Sequence, residues 1–313
     1  MTLIRKNMRV PSRRWILAAF VPLLASLSTV AQAINFQRYD LQIIVGDRSP
    51  ATLSILEEMR RKFPGASISN QVNKKRSGGK LPIYLAVGPD ALRYLTGSGL
   101  SGPVISTFTS QKAYHAIVDK APIRPGTTTA LFADPSPAQQ FQLIGLIYGK
   151  PIKVGVILSS DNEQIETILR RSVTPRQAEV TYERLAPGED ITRVLTRLAD
   201  VQAILAMPDS AVYNAETIRT VLVSTYRRNQ TLIGFSAAVV KVGALATTYT
   251  TIQDSIAQID EMLTSYEISG HLPELQFPKY FDVAINVDVA RSLNIVLSDQ
   301  VSRFSRKPGG KAL

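Results

Sequence analysis

Two histidines and no cysteine set the first limit on the chemistry of this 313-residue chain. His115 and His271 lie far apart, and neither has a second metal ligand at a useful spacing. Zinc sites, thiol nucleophiles, Cys–His pairs and a disulfide framework are therefore not expected. No serine occupies a G-x-S-x-G elbow, and no Walker lysine follows a glycine-rich loop. Gly97-Ser98-Gly99-Leu100-Ser101-Gly102 matches the spacing of a dinucleotide fingerprint. Its context is reversed, because it follows a helical pattern and precedes a strand pattern. It reads as a connector. No cofactor, metal or catalytic group is expected.

The recurring polar feature is a short segment of small residues after each apolar run. Gly46-Asp47-Arg48-Ser49, Gly88-Pro89-Asp90 and Ser106-Thr107-Phe108-Thr109 occur in the first half. Ser159-Ser160-Asp161, Met207-Pro208-Asp209-Ser210 and Ser236-Ala237 occur in the second. In open α/β sheets ligands bind beyond the carboxyl ends of the strands, where loop amides and helix N-termini point outward. Any one of these segments is also an ordinary turn or helix cap. Their recurrence in both halves is what points to a binding cleft.

The elements that would position them alternate short apolar strands with helices, the pattern of parallel sheets covered on both faces. Strands are expected at Tyr39–Val45, Pro82–Val87, Val104–Phe108 and Thr127–Phe132. Helices are expected after Pro50, after Asp90 and at Ser136–Tyr148. Gly149-Lys150-Pro151 reads as a boundary, after which the pattern restarts. Strands follow at Lys153–Leu158, Ala178–Arg184, Ala203–Ala206, Thr231–Phe235 and Ala244–Thr248, with helices between them. A helix at Ile252–Tyr266, an extended Phe281–Ile285 and a final helix at Val287–Leu293 complete the reading. The expected fold class is α/β: two Rossmann-like lobes with parallel sheets joined by a hinge.

The first 33 residues read as an export leader. Arg5, Lys6, Arg9, Arg13 and Arg14 precede an apolar stretch from Trp15 to about Leu27, and Ala31-Gln32-Ala33 fits a signal peptidase site. The apolar stretch is shorter than the roughly 20 residues that span a bilayer. Arg13-Arg14 before it leaves both the general and the twin-arginine export routes open. The formal charge of +11 includes those five cations, so cleavage after Ala33 leaves +6. Much of the remainder sits in Lys74-Lys75-Arg76 with Lys80, and in Arg303, Arg306, Lys307 and Lys311. These read as solvated loop and tail charges, and nucleic acid is not an expected partner of an exported chain.

Four segments of the second half resemble the substrate-binding proteins of ABC transporters that include tryptophan- and tyrosine-type binders. They are Ala203 to Ser210, Thr231 to Ser236, Val240 to Ala246 and Ile285 to Ile295, where Asn294 replaces the family's usual Gly. Gly88-Pro89-Asp90-Ala91 and Asp134-Pro135-Ser136-Pro137 match more loosely. The resemblance implies a type I periplasmic-binding-protein fold. Lobe I would comprise residues 34–149 with about 249–275, and lobe II residues 150–248 with about 276–302. Residues 303–313 would be a basic, disordered tail. It also implies a monomeric periplasmic protein that closes on a small polar, amino-acid-like solute and presents it to an ABC permease. The expected contacts are Asp47, Ser49, the Gly88 amide, Thr107 and Phe108 from lobe I, with Asp209 and Ser236 from lobe II, and Tyr249 where the chain crosses back. Asp209 would pair with an ammonium group, and Phe108 or Tyr249 would stack on a ring. The alternative is an envelope accessory or sensory module of the same fold that delivers no solute.

Overall fold

Period-two burial decides which way each strand faces. In β1 (Tyr39–Val45), Leu41, Ile43 and Val45 enter one core while Ile44 enters another on the opposite face. The structure, a computed structural model, describes residues 39–73, 79–122, 126–160 and 162–309. The leader with its cleavage site, Lys74-Lys75-Arg76, Asp161 and Lys311 lie outside the described residues.

After β1 the first lobe runs through α1 (Pro50–Lys62), β2 (Ser67–Ser69), β3 (Leu81–Val87), α2 (Pro89–Gly97), β4 (Val104–Thr109), α3 (Gln111–Val118) and β5 (Thr128–Phe132). Its strands form an all-parallel sheet in the order β2-β1-β3-β4-β5. Helix α1 covers one face through Ile55, Leu56 and Met59; α2 covers the other through Ala91, Leu92 and Leu95.

The second lobe continues with α4 (Pro137–Tyr148), β6 (Ile152–Ser159), α5 (Glu163–Ser172), β7 (Ala178–Leu185), α6 (Ile191–Arg197), β8 (Ala203–Leu205), α7 (Thr217–Arg227), β9 (Thr231–Ile233), α8 (Ala237–Lys241) and β10 (Ala246–Tyr249). Next come α9 (Ile252–Ser269), β11 (Asp282–Ile285), α10 (Val287–Ser292) and α11 (Asp299–Arg303). The second sheet has the order β11-β10-β9-β8-β6-β7. From β7 to β10 this repeats the strand order of the first sheet. One feature departs from the expected parallel sheets: β11 runs antiparallel to β10.

The chain passes between the lobes three times. It leaves β5 through Asp134-Pro135-Ser136 into α4, whose Phe141, Leu143, Ile144 and Ile147 are buried with β6 and β8. It returns after Tyr249 into α9, whose Ile256, Ile259, Met262 and Leu263 join the core under β1 and β3. Gln276 then bridges to Leu131 beside β5, and residues 277–281 lead back to β11. The Thr250 hydroxyl donates to the Tyr280 carbonyl (2.8 Å), and the Gln139 amide donates to the Pro278 carbonyl (2.9 Å). The crossings are therefore hydrogen-bonded to one another.

Two expected boundaries move. The first change of lobe comes before α4, not at Gly149-Lys150-Pro151. Gly149 has φ 65° and caps the C-terminus of α4, so the Gly-Lys-Pro run ends a helix and does not link domains. The expected disordered tail is ordered as far as Gly309. Val301 of α11 is fully buried, and the Phe304 ring meets Phe281 edge-on at 4.9 Å. Arg306 pairs with Phe281 in an antiparallel bridge. Lys307 then reaches Asp254 of α9 (2.8 Å) and Asp282 of β11 (2.6 Å), one acidic group on each lobe.

Candidate functional site

The carboxyl ends of both sheets carry the segments that the sequence singles out, and their local chemistry differs from loop to loop. After β1, Asp47 accepts from the Ser49 amide (2.9 Å) and the Thr52 hydroxyl (2.6 Å). These bonds hold its carboxyl below the ordinary range. Ser49 caps α1 by accepting from the Thr52 amide. Both residues lie exposed, and both serve the turn that starts α1. The sheet closes in behind them. A Cβ on Gly46 would sit 2.4 Å from the Cβ of Asp90, so only glycine lets the start of α2 approach β1 this closely.

Gly88 has φ 83° and precedes α2. Its amide donates to the Thr107 carbonyl at 2.9 Å and is committed to the sheet. The expectation that this amide meets a ligand is therefore corrected: parallel pairing between the ends of β3 and β4 consumes the donor. Thr107 is buried, and its hydroxyl has no protein partner among the described residues. Phe108 has φ 53°, and the pairing of β4 with β5 shifts register around it. A bulky side chain in the left-handed region is strained, and such strain concentrates at functional sites. The Phe108 ring packs partly against the core beneath β1.

Lobe II answers with a buried carboxylate. Asp209, after β8, has a side chain with no exposed surface. One of its oxygens accepts from the Ser159 hydroxyl (2.5 Å), the Ser159 amide (3.3 Å) and Asn162 Nδ2 (3.3 Å). The other accepts from the Ala211 amide (3.1 Å) and from Lys112 Nζ (2.9 Å). Burial pushes this carboxyl up, but the Ser159 and Lys112 hydrogen bonds, the lysine charge and Asn162 outweigh it and hold it below the ordinary range. The residues come from the ends of β6 and β8, where the strand order reverses around β6. That is the crevice where such sheets bind ligands. Lys112 comes from α3 of lobe I and also donates to the Ser159 hydroxyl (2.8 Å).

The remaining expected contacts sit nearby in the fold. Ser236 caps α8 by accepting from the Val239 amide. Tyr249 ends β10 half-buried, paired in register with Asp282. Between them Gln140 of α4 is fully buried. It donates to the Gly234 carbonyl (2.6 Å) and accepts from the Thr248 amide (3.0 Å), which fixes the ends of β9 and β10. A cavity of about 450 Å³ opens between α3 and the start of α5, lined by Gln111, Lys112, His115, Asp119, Asn162 and Gln164 among others. At the start of α3, Asp134 accepts from the Gln111 amide at 2.6 Å. Burial pushes the Asp134 carboxyl up to about 7, against the lowering effect of that bond.

Lys112, Gln140 and Asp134 were not among the expected contacts. For Lys112 a signal existed. Ser110 followed by Tyr114, Ile117 and Val118 is a capped amphipathic helix, and recognising α3 would have put Lys112 at its first turn.

No family model matches the sequence, and no curated protein matches it. Among solved structures, the ABC domain from Streptococcus pneumonia in complex with L-Trp is similar over 85% of this chain and 99% of its own, at 17% identity and a TM-score of 0.55. A conserved domain protein from Vibrio cholerae covers 86% and 99% at 17% identity and 0.55. A substrate-binding protein with adhesive properties from Clostridium difficile, in a ligand-free, open form, covers 84% and 97% at 12% identity and 0.57. At this identity the likeness establishes the fold: two α/β lobes of the type I periplasmic-binding-protein kind. No helix among the described residues is long and apolar enough to cross a membrane.

Proposed function

We propose that this chain is an exported solute-binding protein that captures a small polar solute between its lobes and presents it to an ABC permease. The observation that carries the reading is the arrangement of two sheets of like strand order, joined by three mutually bonded crossings. Such a frame can close by rotating one lobe on the other, and closure stabilised by ligand is a population shift between two states. The three similar structures support it: one holds L-Trp and another is a substrate-binding protein. In this proposal the leader directs export and the mature chain acts in the periplasm as a monomer, with no catalytic step.

Phe108, Ser236 and Tyr249 are the proposed solute contacts, with Asp47, Ser49 and Thr107 beside them. Ser236 accepts at its helix cap and retains a hydroxyl proton to donate. Phe108 and Tyr249 offer ring faces, which suits an amino-acid-like solute with an apolar or aromatic part. Isothermal titration of the mature protein with the twenty amino acids and simple nucleosides tests this class. Saturable heat with at least one amino acid is expected; silence across the whole set would exclude amino-acid-like solutes.

A further inference from the structure

Asp209 lies where a solute's cationic group would be received, yet a cation from the chain's own opposite lobe already sits on it. Lys112 Nζ lies 2.9 Å from one carboxylate oxygen and 2.8 Å from the Ser159 hydroxyl. The carboxylate itself is wholly buried, while a quarter of the lysine side chain remains exposed. Ser159, Asn162 and Ala211 all belong to lobe II and hold the carboxylate rigid before any partner arrives. The lysine comes from the first turn of α3 in lobe I. One further bond joins the same surfaces: Gln164 of α5 donates to Asp119 at the end of α3 (3.2 Å).

We propose that Lys112 is a tethered cation that latches the two lobes together in the absence of solute by occupying the Asp209 carboxylate. The carboxylate's other donors stay within lobe II when the lobes part, so opening costs the Lys112 contacts and leaves the rest intact. Charge-assisted hydrogen bonds of this kind are about twice as strong as neutral ones. Removing one partner of such a pair carries a large penalty, here paid in the closed state alone. The consequence for binding rests on the solute-binding reading: a solute with a cationic group must exchange with Lys112 at Asp209. The latch itself needs no solute.

The absence of cysteine makes the test direct. Spin labels on Leu53→Cys in lobe I and Thr192→Cys in lobe II, both exposed, report the interlobe distance by pulsed electron resonance. The labelled protein, freed of any co-purified solute by unfolding and refolding, should show one dominant short distance. Lys112→Met should lower the closed-to-open ratio about tenfold or more and populate longer distances. Lys112→Gln, which retains a hydrogen-bonding group without the charge, should do the same and serves if the Met variant does not fold. Lys112→Arg should retain the short distance. An unchanged distribution in a folded Met or Gln variant overturns the latch. Because no solute is present, that result is separate from a failure of the titration above, which would overturn only the solute reading.

Discussion

Asp134 shows how a single residue at a lobe crossing can set a pH dependence. Its carboxyl is held near 7 by burial, well above the 3.8 of an unperturbed aspartate. Between about pH 4 and 7 the unfolded chain has lost this proton and the folded chain has kept it, so folding takes up a proton. Stability from this group is therefore greatest in acid, falls as pH rises through that window, and levels off above it. Asp134→Asn retains an oxygen to accept from the Gln111 amide and removes the titration. The variant should match the native protein near pH 4 and exceed it above pH 7, by on the order of 2–4 kcal/mol. Urea unfolding at acidic and at mildly alkaline pH measures both; parallel stability profiles would show that Asp134 ionises normally.

At the scale of elements, two close contacts can be broken by small changes. Gly46→Ala forces a Cβ into the Cβ of Asp90 and should cost about 1–3 kcal/mol, read as a lower urea midpoint with an unchanged slope. The C-terminal strap is the second. Val301 is fully buried and Phe304 stacks edge-on to Phe281. Deleting residues 299–313 should therefore cost roughly 2–4 kcal/mol by the burial of one aliphatic side chain and one aromatic pair. An unchanged melting temperature would return this segment to the status its composition suggests. That composition misled because Arg306 and Lys307 look like a solvated tail until Asp254 and Asp282, distant in sequence, are brought to them.

Apolar strands buried on both faces, such as Tyr39–Val45, were legible to the residue. Ser67–Ser69 was not, because it is a three-residue edge strand whose single apolar side chain, Ile68, makes no hydrophobic run. Helix α3 was missed although its cap and spacing were readable, and with it Lys112. The candidate site was half legible. The rule that ligands gather at strand carboxyl ends singled out these loops, but it could not tell which of their donors and acceptors the fold had already spent. The Gly88 amide goes to Thr107, Asp47 goes to its own turn, and Asp209 goes to Lys112. Such commitments depend on how neighbouring strands and opposing lobes meet, which local sequence does not encode.

For the whole molecule, the repeated strand order, the three bonded crossings and the strap bearing Lys307 describe two lobes tied at several points, the frame on which the proposed closure would act. The proposed function requires that a small solute enter the crevice between them. Native mass spectrometry of the mature protein, purified without denaturation, tests that claim most directly. The account predicts a mass excess of one small molecule per chain, lost on collisional activation or after unfolding and refolding. A protein that carries no solute as purified, and gains none when offered the amino acids and nucleosides at saturating concentration, would contradict it.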